Sequence, residues 1–168
     1  LLLALDATRN IADRDGWLFN EELARDVAQS VYIPGRFEKR TLNDHLVILD
    51  GAHNPQKLRA LASRLERESH SPATIMLALG EHNDYEGSLR AVKNVCKRLI
   101  VCEFFLESSI RRRAISSTKV AEAAQRMGFT EVITQPAPHL ALQEALTNPE
   151  PIVVTGSFYL LGEVDRSF

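Results

Sequence analysis

The hexapeptide DGAHNP, residues 50–55, places an acid, an imidazole and an amide directly after the apolar run LVIL. A carboxylate in this position can accept hydrogen bonds from a sugar diol or lie beside a metal ion, while the glycine permits a sharp turn and the proline suits the start of a helix. The alternative is a structural turn, in which Asp50 or Asn54 caps backbone NH groups and His53 is merely exposed. Because three such residues fall within six positions, we favour a ligand-facing role for all three.

Two further residues could bind an anion. Arg36 follows a glycine and carries a guanidinium that can bind phosphate or carboxylate in bidentate fashion; a surface ion pair with Glu38 is the alternative. Ser157 follows the apolar run PIVV, so it can cap the last helix and also present its hydroxyl to an anion. Capping alone would explain Ser157 as well, and its neighbours lack the pattern of a hydrolase nucleophile.

Other polar segments give weaker signals. The arginine run 111–113 could attract an anionic substrate, although such runs are usually solvated, and Asp84 could contact a metal but suits a turn equally well. The histidines show no metal-ligand spacing and no zinc pattern occurs, so we predict no metal ligand in this chain. Neither a P-loop nor a dinucleotide-binding glycine motif is present, so a nucleotide would be held mainly elsewhere.

The elements that must position these residues alternate regularly from Leu46 onward. Short apolar runs alternate with helical segments such as PQKLRALASRLERES and YEGSLRAVKNVCKR. This alternation predicts an α/β, Rossmann-like fold with a mostly parallel open sheet and helices on both faces. Ligands of such sheets bind beyond the carboxyl ends of the strands. We therefore expect the segments DGAHNP, GEHNDYEG, EFFLESSIRRRAISS and TGSFY to share one edge.

The first 33 residues follow a different pattern. Residues 1 to about 15 are expected to be the end of a helix that belongs to a longer polypeptide. A short amphipathic helix then begins after the N-cap Asn20, with Leu23 and Val27 four residues apart. Pro34 interrupts the helical pattern. We therefore predict a helical linker or domain remnant at 1–33 and the domain proper at 34–168.

The composition excludes some classes of partner. The 168 residues carry a net charge of −2, which gives no electrostatic reason to expect nucleic acid or an anionic membrane. The apolar start of the chain is too short to cross a bilayer. Only two cysteines occur, and we expect both to be reduced, as in the cytoplasm. These features are typical of a cytoplasmic globular protein.

Three stretches, PGRFE (34–38), LDGAHNP (49–55) and VVTGSFYLLGEV (153–164), resemble in order and spacing the C-terminal domain of folylpolyglutamate synthase/dihydrofolate synthase, a branch of the Mur ligase superfamily. The resemblance implies a glutamate-ligase domain at 34–168 and, at 1–33, a linker or remnant of a preceding ATPase domain. It implies an enzyme of folate biosynthesis and one-carbon metabolism that uses ATP and Mg²⁺ to join L-glutamate to a folate or to dihydropteroate through an acyl phosphate. ATP and Mg²⁺ would be bound mainly by the preceding P-loop domain, without which the fragment would be inactive.

The resemblance also implies roles for individual residues. Arg36 would contact ATP, and Asp50 would contact the nucleotide at its ribose, with Asn54 in the same turn. His53 would be the catalytic residue, facing the cleft between the domains and helping to place the incoming glutamate or the phosphates. Ser157 would hold the amino-acid substrate.

This sequence departs from the family pattern at Asn83, where the family often has lysine, so a lysine contact is not expected there. Arg113 followed by Ala114 is the nearest match to another family feature, an arginine followed by a small residue. The sequence leaves open two alternatives to a folylpolyglutamate synthase/dihydrofolate synthase domain. One is the C-terminal domain of a peptidoglycan-precursor Mur ligase, and the other is a non-catalytic α/β binding module, because a fold alone does not determine function.

Overall fold

The computed structural model describes residues 2–106 and 112–166, and it divides into one unit that ends at Pro34 and a second that begins at Gly35. The first unit consists of helices α1 (Leu2–Asp15) and α2 (Glu21–Ser30). The Asn20 side chain accepts a hydrogen bond from the backbone NH of Leu23 at 3.0 Å, which confirms the predicted N-cap of α2. An ion pair between Arg9 and Glu21 joins the two helices.

The second unit contains the remaining strands and helices. In chain order these are β1 (Glu38–Leu42), β2 (His45–Asp50), α3 (Pro55–Arg67), β3 (Ala73–Leu77), α4 (Tyr85–Val92), a 3₁₀ turn (Lys93–Val95), β4 (Cys96–Val101), β5 (Phe105–Leu106), β6 (Arg112–Arg113), α5 (Ser117–Arg126), β7 (Val132–Thr134), α6 (Pro138–Ala145), β8 (Ile152–Thr155) and α7 (Phe158–Asp165). Among residues 2–106 and 112–166, no helix is both long and apolar enough to cross a membrane.

Six of the strands form one mixed sheet in the order β1-β2-β8-β3-β4-β7. β1 is antiparallel to β2, and every other neighbouring pair in this sheet is parallel. β5 and β6 pair separately as a short antiparallel ribbon. The predicted mostly parallel α/β sheet is therefore confirmed.

Helices cover both faces of the sheet, as predicted. Ile48, Leu77 and Leu99 lie in the core beneath α3, α4 and α5, whereas Val47 and Met76 belong to a second core beneath α6 and α7. Neighbouring residues of one strand point to opposite faces, so a strand buried on both faces must be apolar throughout. This requirement explains the unbroken apolar runs of β2, β3 and β8.

Two elements differ from the sequence-based expectation. β1, with the sequence EKRTL, had not been predicted as a strand, because it is an edge strand with a largely polar sequence. The helix predicted over residues 85–98 is too long, since α4 ends at Val92 and β4 already begins at Cys96. Arg98 lies buried within β4, where Glu131 and Glu144 form ion pairs with its guanidinium. These ion pairs offset the cost of burying a charged side chain in this strand.

An ion-pair network links the edge strand to α3. Lys39 on β1 and Arg64 on α3 both donate to the carboxylate of Glu68, at 2.8 and 2.7 Å. The hydrogen bond from Lys39, which has the largest effect, and the hydrogen bond from Arg64 lower the pKa of Glu68 to about 2. The three side chains are only partly exposed, so the network stabilises the fold modestly.

Glu68→Gln should therefore lower the free energy of unfolding by about 1 kcal/mol near neutral pH. Because the folded-state pKa lies below the unfolded value, this contribution is complete above about pH 5 and declines as the pH falls toward about 2. Urea unfolding between about pH 7 and pH 3 measures the difference between the parent protein and the variant, which should shrink on acidification. Glu66→Gln, a change at an exposed position of the same helix, is the control. A difference that stays constant over this range would contradict the assignment.

Candidate functional site

The carboxyl ends of β2, β8 and β3 lie side by side, with Thr155 in register with both Asp50 and Leu77. The turns beyond these strands are joined by backbone hydrogen bonds. The NH of Gly156 donates to the carbonyl oxygen of Ala52 at 2.8 Å, and the Thr155 hydroxyl donates to the same oxygen at 3.2 Å. The polar turns of β2, β3 and β8 therefore share one edge of the sheet, as predicted from the parallel topology.

Asp50 connects the end of β2 to the segment that precedes β1. One carboxylate oxygen accepts from the NH of Phe37 and the other from the NH of Ala52, each at 2.8 Å. Burial raises the pKa of Asp50, although these two NH groups and the charges of Arg36 and Arg64 oppose that shift. Each oxygen retains a second lone pair, so the carboxylate can still accept a bond from a ligand.

Phe37 adopts a strained backbone that the Asp50 contact helps to hold. Its φ is +52°, in the left-handed region that bulky residues rarely occupy. Its ring is buried, and the guanidinium of Arg64 lies 3.8 Å from the ring centroid.

His53 and Asn54 occupy different environments within the β2 turn. Asn54 caps α3, because its side-chain oxygen accepts from the NH of Lys57 at 2.9 Å. Nδ1 of His53 lies 2.8 Å from the carbonyl oxygen of Gly51, and Nε2 lies 3.2 Å from the ammonium nitrogen of Lys57. The Asn83 side chain donates to the His53 carbonyl oxygen and thereby ties the turn after β3 to the turn after β2.

A cleft of about 510 Å³ opens where these turns meet. Of the predicted site residues, His53 and Ser157 line it, whereas Arg36, Asp50 and Asn54 do not. Ser157 is only 7% exposed, and its Oγ accepts from the NH of Tyr159 at 3.1 Å, so the predicted helix cap is confirmed. The full lining is His53, Gly80, Glu81, His82, Asn83, Phe104, Arg113, Gly156, Ser157, Phe158 and Tyr159.

Arg36 lies next to this cleft because it contacts an aromatic ring of the cleft wall. Its guanidinium carbon is 4.8 Å from the centroid of Phe158, whose half-exposed ring forms part of the cleft wall. Such a cation over a ring face is favourable. Gly51 makes room for the ring, since a Cβ at that position would lie within 2.6 Å of three of its atoms. Arg36, Asp50 and His53 therefore lie at the same edge of the sheet.

Sequence reasoning missed the aromatic wall of the cleft. Phe104 packs against Tyr159 with ring centroids 5.4 Å apart, and Phe158 lies beside them. The signal was present, because TGSFY places two adjacent aromatic residues at the start of a helix that begins at the ligand edge. One turn of a helix cannot bury both against the sheet, so at least one of the rings must face solvent or a ligand.

The remaining predicted polar segments divide between the cleft and structural roles. Arg111 lies outside the described residues, while Arg113 lines the cleft and its carbonyl oxygen accepts from the NH of Glu81 at 3.2 Å. Asp84 caps α4 by accepting a hydrogen bond from the NH of Gly87 at 2.8 Å. This is the structural role in a turn that the sequence offered as the alternative to a metal contact. Across residues 2–106 and 112–166, no group of three or more His, Cys, Asp or Glu side chains could hold a metal ion.

Residues 35–167 match the family model of the dihydrofolate synthetase C-terminal domain. The chain belongs to this family. The match covers the whole sheet together with the Arg36, Asp50 and Ser157 segments, and it favours the folate branch over the peptidoglycan ligases. A search of curated proteins gave no match.

Solved structures agree with the family assignment. The chain is 26% identical to Mycobacterium tuberculosis folylpolyglutamate synthase, solved with ADP and AMPPCP, at a TM-score of 0.73 over 94% of this chain and 37% of that one. It is 25% identical to the Thermotoga maritima folylpolyglutamate synthase, with a TM-score of 0.68 over 90% and 34% of the two chains. The bifunctional Yersinia pestis enzyme, solved with Mn, AMPPNP and L-glutamate, shares the fold at 24% identity and a TM-score of 0.70 over 89% and 35%. The chain thus spans little more than a third of these proteins.

The contact between Gly51 and Phe158 can be tested by adding one methyl group. Gly51→Ala should lower the free energy of unfolding by about 1–3 kcal/mol, because the added carbon overlaps the ring. In a Phe158→Ala background the same substitution should cost little, and a double-mutant cycle by urea unfolding measures this coupling. Gly162→Ala is the matched control, since its new Cβ meets no atom within 4 Å. Equal costs of Gly51→Ala in both backgrounds would show that the ring does not restrict this position.

Proposed function

We propose that this chain is the C-terminal domain of an ATP-dependent ligase that adds L-glutamate to folates, or to dihydropteroate, through an acyl phosphate. The observation that carries the proposal is the match of residues 35–167 to the dihydrofolate synthetase C-terminal domain. The structural similarity to a folylpolyglutamate synthase solved with ADP and AMPPCP supports nucleotide binding. Residues 1–33 would then be the linker from a preceding P-loop ATPase domain, without which the chain would be inactive.

The geometry of the edge supports a nucleotide contact at Arg36. Its side chain is exposed, and its guanidinium lies over the ring of Phe158, which restricts its direction. A guanidinium oriented in this way can bind phosphate oxygens with little loss of conformational freedom. When bound, ATP supplies the phosphoryl group that activates the substrate carboxyl. The second lone pairs of Asp50 fit a ribose hydroxyl, and Asn54 lies in the same turn.

The cleft supports a contact with the amino acid. His53 and Ser157 both line it, together with one carboxylate, Glu81, and one guanidinium, Arg113. Groups of both charges suit a zwitterionic substrate such as L-glutamate, whose ammonium and carboxylates need opposite partners. We assign His53 to the reaction as the group nearest the incoming amine. We assign the binding of ATP and Mg²⁺ mainly to the preceding P-loop domain.

An acyl-phosphate reaction is well served by two domains, one with the ATPase site and one with the ligand edge of this sheet. An acyl phosphate is hydrolysed by water, so the site must be closed while it exists. A domain that contributes a few fixed side chains on closure completes the site and excludes water in one step. Both cysteines, Cys96 and Cys102, are free thiols, and we place the enzyme in the cytoplasm.

The substrate class is tested with the full-length enzyme. Assays of ATP hydrolysis coupled to amide formation should show turnover with folates and L-glutamate and none with UDP-linked muramyl precursors. Turnover of the muramyl precursors would instead identify a peptidoglycan ligase. Absence of both activities in a correctly folded full-length protein would favour a non-catalytic binding module.

The Arg36 contact is tested by Arg36→Ala in the same full-length enzyme. Loss of a charged hydrogen bond to the nucleotide should lower kcat/KM for ATP by about 10-fold to 100-fold. Arg59→Ala, at an exposed position on α3, is the matched control and should change kcat/KM by less than about twofold. Equal values for the two variants would exclude a nucleotide contact at Arg36. Asp50→Ala is less informative, because it also leaves the NH groups of Phe37 and Ala52 without their acceptor.

A further inference from the structure

His53 has a hydrogen-bond partner at each ring nitrogen. Nδ1 lies 2.8 Å from the carbonyl oxygen of Gly51, and Nε2 lies 3.2 Å from the Nζ of Lys57. A carbonyl oxygen can only accept a hydrogen bond, and a lysine ammonium can only donate one. The two contacts are satisfied together only when Nδ1 carries the proton and Nε2 carries a lone pair.

We infer that Lys57 is a positioning residue that holds His53 as the neutral Nδ1–H tautomer. The other two forms of the ring, the Nε2–H tautomer and the imidazolium, both direct an N–H toward the ammonium of Lys57. That arrangement loses a hydrogen bond and, for the imidazolium, adds repulsion between like charges. Lys57 stands in the first turn of α3, which Asn54 caps, so its backbone is fixed relative to the ring.

A contact from the turn after β3 holds the backbone of His53. The Asn83 side chain donates to the carbonyl oxygen of His53, so the turn after β3 fixes the backbone that carries the imidazole. The further titratable or charged groups that line the cleft are Glu81 and His82 on that turn and Arg113 on β6. Lys57 contacts a ring nitrogen of His53 directly.

The tautomer determines which kind of substrate group His53 can bind. An accepting Nε2 matches a donor such as an ammonium or amine, and it opposes a phosphate oxygen, which is itself an acceptor. His53 therefore contacts the amine of the amino-acid substrate, which takes the place of the exposed Lys57 ammonium, and it does not contact the phosphates of the nucleotide. The identity of that amine rests on the proposed function, whereas the tautomer is a property of this chain alone.

The tautomer is tested by two-bond ¹H–¹⁵N correlation spectra of the histidine rings in the complete 168-residue chain. His53→Gln identifies the signals of His53 among the five histidines. In the parent protein Nδ1 should show a protonated-type shift and Nε2 an unprotonated-type shift. Lys57→Met removes the donor to Nε2, so the Nε2–H tautomer should gain population and the two ¹⁵N shifts of the ring should move toward each other.

Two matched variants separate the contact from its alternatives. Lys57→Arg restores a cationic donor and should return the parent spectrum. Arg59→Met removes the same charge from the same helix without this contact and should leave His53 unchanged. The signals of the other four histidines report that each variant is folded. An Nε2–H tautomer in the parent chain, or equal spectra for Lys57→Met and Arg59→Met, would overturn the inference.

The functional consequence is measured separately in the full-length enzyme. His53→Ala should raise the KM for L-glutamate and leave the KM for ATP unchanged, because His53 contacts the amine. A raised KM for ATP alone would overturn the assignment of His53 to the amine. If the full-length enzyme does not use glutamate at all, the proposed function fails, while the spectra still decide whether Lys57 holds the tautomer.

Discussion

The candidate site depends on the two hydrogen bonds that the Asp50 carboxylate accepts from the NH groups of Phe37 and Ala52. The first bond holds the segment that carries Arg36 against the end of β2. The second closes the turn that carries His53. A single half-buried carboxylate thereby determines the positions of the cation and the imidazole. Because a buried NH without an acceptor costs about 1–3 kcal/mol, each bond is expensive to lose.

This arrangement separates residues that hold the site from residues that are available to a ligand. Asp50, Asn54 and Ser157 each accept hydrogen bonds from backbone NH groups, so their first task is structural. Arg36 and the rings of Phe158 and Tyr159 are exposed. A structural role and a ligand contact are compatible in such residues, since a carboxylate or hydroxyl oxygen has more than one lone pair. The capping and ligand-binding interpretations of the sequence were therefore not exclusive alternatives.

The sequence predicted the parallel sheet and the turns that share its ligand edge, because apolar runs buried on both faces leave an unmistakable pattern. It also predicted the caps at Asn20 and Ser157, where a local rule suffices. It did not predict β1, whose strand conformation comes from pairing with β2 and not from its own polar sequence. Nor could it place Arg36 over Phe158, since these residues are more than a hundred positions apart and meet only because β8 lies beside β2.

The position of β8 also affects how the chain folds. This strand is the last of the six in chain order, yet it occupies the middle of the sheet between β2 and β3. Until it is in place, the apolar edges of both neighbours remain unpaired, which is the condition under which strands associate wrongly. Contacts between such distant segments slow folding. The nascent domain must therefore keep its earlier strands from aggregating until β8 has also left the ribosome.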